Sequence, residues 1–218
     1  MFGRGRRGRH ARGLAGFPAH VLMGRPEPDQ DEAAPTSGPF DQADAPRDGV
    51  ARLDLGSVRV PVPEGAQLQV EVDQSGPVRA VHVLIPQGQF TVNAFAVPRS
   101  AKLWNEVRRE LILRLEGEGA RVREHNGEWG REVTATRPDL VLHFIGVNGP
   151  RWLLRGVAAG PPENAPELVE RLRELLRQTV VVRGDEPMPA RAPLPLTLPQ
   201  PMAEQLEQAA GRNGQQEP

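Results

Sequence analysis

Residues 149–162, which read GPRWLLRGVAAGPP, contain the segment that decides the fold. Trp152 and Leu154 fall on one side of a two-residue alternation, and Leu153 falls on the other. A strand that is apolar on both sides is buried on both sides, so the pattern predicts an interior strand of a sheet. Gly156 in the same strand indicates a place where another element packs against bare backbone.

Further strands are predicted on both sides of this segment, because apolar and polar residues alternate there. In all, the predicted strands cover residues 52–55, 58–62, 68–72, 78–85, 90–97, 120–125, 129–136, 140–147, 151–159 and 179–183. Two Asn-Gly pairs, Asn126-Gly127 and Asn148-Gly149, predict type I′ hairpin turns, since both central positions of that turn need a positive φ.

Two amphipathic helices interrupt the strands. The first is predicted from Ser100, as N-cap, to Glu116, where Gly117 ends it. The second begins at Asn164, with Glu167 three residues later in the spacing of a capping box. Runs of strands separated by single helices indicate the α+β class. We therefore predict a mostly antiparallel sheet built from two meanders, with two amphipathic helices packed on one face.

The chain divides by composition into four parts. Residues 1–48 show no hydrophobic periodicity, and we expect a disordered arm that is first basic and then acidic and Pro-rich. Residues 49–184 form the predicted α+β domain. Five prolines within residues 185–199 predict an extended strap, and a weak helix is expected around Met202 before a polar tail that ends at residue 218.

The composition argues against several classes of chemistry. The chain has no cysteine, which excludes a thiolate nucleophile and any sulfur-ligated zinc site. No two of its five histidines, His10, His20, His82, His125 and His143, have the spacing of a helical zinc site, and no glycine-rich phosphate loop follows a strand. His82 and His143 fit buried strand positions, and His125 fits a hairpin tip. We therefore assign no catalytic residue, no cofactor and no metal site.

Two groups of arginines are candidate binding residues. Arg4, Arg6, Arg7, Arg9 and Arg12 make the N-terminal arm similar to Arg/Gly segments that bind nucleic acid through phosphate neutralisation. Lys102 is the only lysine among the 27 basic residues, as codon usage in a GC-rich genome would give, so arginine content alone does not indicate phosphate recognition. Arg151 and Arg155 are predicted to share one strand face, where they would bind an acidic partner if that face is open.

Three stretches of the chain together resemble a known family. They are residues 38–65, residues 149–161 with the motif GPRWxLRGV, and residues 180–199 with the motif VVVRGxxPMPxRxPLPLxLP. In this order they resemble an actinobacterial family catalogued as a domain of unknown function, over about residues 38–199. The resemblance implies a soluble actinobacterial protein and carries over no activity, cofactor or catalytic residue.

The functional interpretation has three alternatives in order of preference. The first is a non-enzymatic module that binds a protein partner or self-associates, since one layer of sheet leaves a face or an edge to be covered. The second is a nucleic-acid-associated protein that uses the N-terminal arm. The third is an enzyme of unknown class. No apolar segment is long enough to span a membrane, so we expect a cytoplasmic protein without a membrane partner.

Overall fold

The computed structural model describes residues 37–73, 77–99 and 101–213, and describes side chains as far as residue 206. The strands are β1 (Phe40–Asp41), β2 (Arg52–Asp54), β3 (Val58–Pro61), β4 (Gln67–Val72), β5 (Val78–Ile85), β6 (Gly88–Ala96), β7 (Arg121–Gly127), β8 (Gly130–Thr136), β9 (Val141–Gly149), β10 (Trp152–Gly160) and β11 (Val180–Val181). The helices are α1 (Trp104–Gly117), α2 (Ala165–Gln178) and α3 (Gln200–Asn213).

The main sheet has seven antiparallel strands in the order β4-β5-β6-β10-β9-β8-β7. One meander, β4 to β6, and a second, β7 to β10, are joined where β6 pairs with β10. The predicted α+β class and antiparallel sheet are thus confirmed. Strand β10 lies inside the sheet, between β6 and β9, as its apolar residues on both faces predicted.

A second, smaller sheet has the order β1-β11-β3-β2 and was not predicted as a separate layer. Its strand β1 lies in the stretch that the sequence analysis assigned to the arm. Phe40 N donates to Thr179 O at 2.9 Å, and β1 runs parallel to β11. A two-residue strand whose partner is so distant in sequence has no local periodicity, so the pattern of residues 38–48 does not reveal it.

The two helices pack on opposite faces of the seven-stranded sheet, and the prediction of both on one face is wrong. Gly146 pairs with Arg155, one residue before Gly156, so the two glycines point to opposite sides. A Cβ at Gly146 would lie 2.0 Å from Trp104 of α1, and one at Gly156 would lie 3.0 Å from Leu172 of α2. Because β9 and β10 are apolar on both faces, each face requires a cover. The sides are called the α1 face and the α2 face below.

The α2 face carries the larger core. Leu168, Leu172, Leu175 and Leu176 pack there together with Val58 of the small sheet. The small sheet therefore covers the part of the α2 face that the helix leaves free. On the other side, the α1 core gathers Trp104, Leu111 and Leu115 against β8 and β9, including Val133 and Phe144.

Both Asn-Gly pairs belong to hairpins, but the predicted turns are displaced. Neither Gly127 nor Gly149 has a positive φ, and each ends a strand. A Cβ at Gly127 would lie 1.8 Å from Glu132 Oε1, and a Cβ at Gly149 would lie 2.1 Å from the Trp152 ring. These glycines are therefore required for close side-chain packing and not for turn geometry. The turn after Gly149 instead places Arg151 at φ 64°.

The starts of the helices also differ from the predicted caps. Ser100 lies outside the described residues. Asn148 supplies the cap of α1 from the distant hairpin, since its Oδ1 accepts from the backbone N–H groups of Leu103 and Trp104 at 3.0 and 3.1 Å. A 3₁₀ turn leads directly into α2, and Asn164, the residue before the helix, makes no side-chain cap. Its Nδ2 instead donates to Gln87 O.

The Pro-rich strap pairs with the main sheet. Strand β5 pairs with β6 only as far as Thr91, and Arg191, Ala192 and Leu194 exchange backbone hydrogen bonds with Ala94 and Ala96 beyond that point. Leu194 is 4% exposed in the larger core. The strap therefore occupies the position beside β6 that β5 vacates. Among the described residues, no helix combines the length and apolar composition that a membrane crossing requires.

Candidate functional site

Part of the α1 face has no covering element among the described residues. Helix α1 packs mainly on β7, β8 and β9, and the register places a mixed group of side chains on the same face of β4, β5, β6 and β10. We call this group the open patch; it comprises Glu71, His82, Thr91, Asn93, Phe95 and Arg155. It is a sheet surface with polar and apolar side chains side by side.

Arg155 lies at the β10 border of the open patch, where the patch meets the α1 core. Its guanidinium carbon is 5.1 Å from the centroid of the Phe95 ring, in a cation–π contact. Its Nε is buried without a hydrogen-bond partner, and none of the ion pairs among the described residues includes it. Burial lowers the pKa of Arg155, and the nearby positive charge of Arg114 lowers it further. Arg155 is therefore a half-buried cation without a counter-charge.

The sequence predicted that Arg151 and Arg155 share one strand face. The structure instead separates the two side chains. Arg151 Nη2 donates to Gly184 O at 3.0 Å and lies 3.4 Å from Asp185 Oδ1. The positive φ at Arg151 takes it out of the strand alternation, so the four-residue spacing to Arg155 no longer places both side chains on one face. The arginines of the N-terminal arm, from Arg4 to Arg12, lie outside the described residues.

A second site lies on the α2 face, where three ionisable side chains converge on one carboxylate oxygen of Glu132. Glu132 Oε2 is 2.8 Å from His143 Nε2, 3.3 Å from His125 Nε2 and 2.7 Å from Arg173 Nη2. Glu132 and His143 are 1% and 4% exposed, whereas the His125 side chain is 39% exposed. We call these four residues the Glu132 cluster.

The surrounding strands and helix hold the Glu132 cluster in place. His125 is directly opposite Glu132 in the β7–β8 pair, and Thr134 is opposite His143 in the β8–β9 pair. Thr134 Oγ1 is 2.9 Å from His143 Nδ1, which fixes the orientation of the imidazole. Arg173 reaches the carboxylate from α2 and is also bonded to Glu170 on its own helix.

The charges in the Glu132 cluster compensate one another. Burial raises the pKa of Glu132, but hydrogen bonds from His143 and Arg173 outweigh it and hold the pKa below its usual value. Burial lowers the pKa of His125, and the neighbouring His143 lowers it further. The carboxylate is therefore ionised at neutral pH, with a neutral His125 beside it.

From the sequence, His125 and His143 were predicted in separate settings, and neither Glu132 nor Arg173 was predicted at a site. Glu132 alternates with Val133 in strand β8, which is the pattern of a side chain facing solvent. The facing element is α2, so this polar face is buried. The available signal was the hairpin register, which places His125 opposite Glu132 once the two-residue turn at Glu128 is known.

A cavity of about 530 Å³ lies at the Trp152 end of the sheet. Its lining includes Asp41, Asp44, Arg99 and Trp152, and Trp152 Nε1 donates to Asp41 Oδ2 at 2.8 Å. This bond ties the GPRW segment to β1 across the end of the main sheet. The cavity therefore lies between the GPRW segment and the N-terminal end of the region that resembles the family.

The architecture and these sites define an α+β domain with one covered sheet face, one partly open face and a buried histidine–carboxylate cluster. The chain belongs to the family described as "Protein of unknown function (DUF3710)", whose model matches residues 38–205. Membership of a family of unknown function over this part of the chain, which the resemblance implied, is thereby confirmed. No curated protein matches the chain.

Among solved structures, the chain shows a weak similarity to the solution structure of cyanobacterial PsbP (CyanoP) from Synechocystis sp. PCC 6803. It is 10% identical, with a TM-score of 0.38, and the match covers 63% of this chain and 96% of that one. A likeness of this degree carries no argument about function.

Proposed function

We propose that this protein is a partner-binding module whose open patch docks an acidic segment of another protein. The observation that carries the proposal is Arg155, a half-buried guanidinium with a buried, unpartnered Nε and no ion pair among the described residues. A cation in that setting is less favourable than a solvated one, so a carboxylate placed against it gains more than it would at an exposed arginine.

The rest of the open patch supports a protein segment as the occupant. Phe95 and Arg155 lie side by side, and both residue types are enriched at protein interfaces. The planar fork of an arginine binds a carboxylate through two parallel hydrogen bonds. Arg114 adds positive charge at the border of the patch. None of the described cavities is lined by Phe95 or Arg155, so the patch suits an extended segment better than an enclosed small ligand.

The test is titration of the full chain with a labelled oligoglutamate peptide, followed by fluorescence anisotropy at two salt concentrations. Arg155→Gln should weaken binding about tenfold, the factor that one charge-assisted contact supplies. Arg151→Gln is the matched control, because that arginine lies in the same hairpin but already binds Gly184 and Asp185. Hydrogen exchange should show protection in β6 and β10 on binding.

Three results would overturn the proposal: equal affinity in both variants, protection confined to strands outside the patch, or no binding by the full chain. A chain that binds RNA but not oligoglutamate, and loses RNA binding when residues 1–25 are deleted, would instead support the nucleic-acid function predicted from Arg4, Arg6, Arg7, Arg9 and Arg12. Self-association through the patch would appear as a dimer in light scattering that Arg155→Gln disrupts.

A further inference from the structure

We infer that His125, Glu132 and His143 form a binding site for a divalent transition-metal ion of the zinc class, and that Arg173 supplies the positive charge when no metal is bound. The site is independent of the open patch, because it lies on the other face of the sheet. Two imidazoles and one carboxylate are the donor set of many zinc and non-haem iron sites.

The distances suit a metal. The ligand atoms of the three residues all lie within 4.8 Å of one another. Bonds of about 2.0–2.2 Å to nitrogen and oxygen place tetrahedral ligands roughly 3.3–3.6 Å apart. The 3.3 Å between His125 Nε2 and Glu132 Oε2 already has that value, and the 2.8 Å to His143 Nε2 needs only a small rotation of the carboxylate.

The neighbouring groups resemble the outer shell of a metal site. Histidine ligands are oriented by a hydrogen bond at the second ring nitrogen, and Thr134 Oγ1 makes that contact with Nδ1 of His143. If Nε2 of His143 binds a metal, Nδ1 is the nitrogen that carries the ring proton, and it would donate to this hydroxyl. The three ligands come from adjacent strands β7, β8 and β9, which keeps their separation fixed.

Arg173 is placed to exchange with a metal ion. Its Nη2 contacts Glu132 Oε2, the same oxygen that both imidazoles approach. It also contacts Glu170, whose side chain is 66% exposed, so Arg173 keeps a carboxylate partner after it leaves Glu132. A divalent ion replaces a monovalent cation against the same buried charge, which keeps that carboxylate paired.

Metal has a route to the site. His125 also lines a groove of about 420 Å³, together with Arg121, Arg123, Glu124, Thr134 and Thr136. His125 is the one exposed member of the ligand set, with 39% of its side chain exposed. With three protein ligands, a zinc ion retains a position for water.

The test is a titration of chelator-stripped full-length protein with Zn²⁺ by calorimetry and with Co²⁺ by visible absorption, which reports the coordination geometry. The inference expects one ion per chain. His125→Ala should lower the affinity at least about tenfold, in line with the loss of one metal ligand. The matched control is His82→Ala, because His82 lies 2.8 Å from Thr91 Oγ1 and 3.3 Å from Glu71 Oε2, and no second imidazole from the described part of the chain is recorded beside it.

A second variant tests the role assigned to Arg173. Arg173→Gln should raise Zn²⁺ affinity about tenfold or more, because a competing positive charge is removed. Its melting temperature should also rise more on adding Zn²⁺ than that of the unaltered protein. The inference is overturned if no ion binds, or if His125→Ala and His82→Ala bind Zn²⁺ equally. A decrease in affinity for a folded Arg173→Gln would overturn the exchange between Arg173 and metal.

Discussion

The ion pair between Glu132 and Arg173 gives the sharpest prediction about stability. Arg173→Met keeps most of the side-chain volume and removes the charge, leaving a Glu132 side chain that is 2% exposed. The carboxylate then loses its contacts of 2.7 and 3.4 Å to the guanidinium and keeps only those to His143 and His125.

The size of the effect follows from burial. Breaking a fully buried pair costs about 3–5 kcal/mol. The Arg173 side chain is 18% exposed, so part of its charge is already solvated, and we expect the lower end, about 3 kcal/mol. For a domain of this size that is a fall in melting temperature of roughly 6–12 °C.

The assay is urea unfolding in the presence of a chelator, so that bound metal does not contribute. Adding Glu132→Gln to Arg173→Met should recover about 2 kcal/mol, because the double variant buries no unpaired charge. Arg171→Met is the control on the same helix. Its pair with Glu167 is 44% and 49% exposed, and its loss should cost less than about 1 kcal/mol. Equal costs for the two single variants, or additive effects in the double variant, would refute the reasoning.

Two further changes test packing and surface charge. Gly146→Ala places a Cβ 2.0 Å from Trp104, which is 2% exposed, and should cost about 1–3 kcal/mol in urea unfolding; Gly117→Ala meets nothing within 4 Å and should be neutral or slightly stabilising. The hydrogen bond from Arg52 lowers the pKa of Asp48 from 3.8 to about 2. The contribution of the ionised Asp48 to the stability of the fold is therefore present above pH 3.8 and is lost as the pH falls toward 2. Asp48→Asn should therefore lose stability relative to the parent only above that window, by an amount that added salt reduces; an unchanged difference across the window would contradict this assignment.

Much of the architecture follows from side-chain periodicity. In β4, Leu68 and Val70 alternate with glutamines, and in β10 Leu153 and Leu154 are apolar on both faces. Such patterns depend only on which side of a strand faces the core, and the structure confirms the strands they predicted. The same applies to the leucine stripe of α2, which packs on Gly156 as expected.

The placement of the helices and the composition of both sites depend on contacts between residues that are distant in sequence. Both helices were placed on one face, which left the polar side of β8 to solvent. With α2 on that side, Glu132 becomes buried and meets Arg173. No spacing rule selects Glu132 from 28 acidic residues, because its partners come from three other elements. In the same way, the sequence pattern placed Arg151 and Arg155 on one strand face because it does not show the positive φ of Arg151.

The parallel pairing of β1 with β11 has a consequence for the order of folding. Phe40 meets Val180, so the small sheet closes a loop that contains the whole seven-stranded sheet. Loops of that length are slow to close, and during synthesis the pairing waits until Val181 has left the ribosome. Until then Val58 and Val60, which are 0% and 2% exposed in the folded chain, lack part of their cover. We therefore expect the main sheet to form first and the small sheet to complete the α2 face in a late folding step, the interval in which the nascent chain is most prone to aggregate.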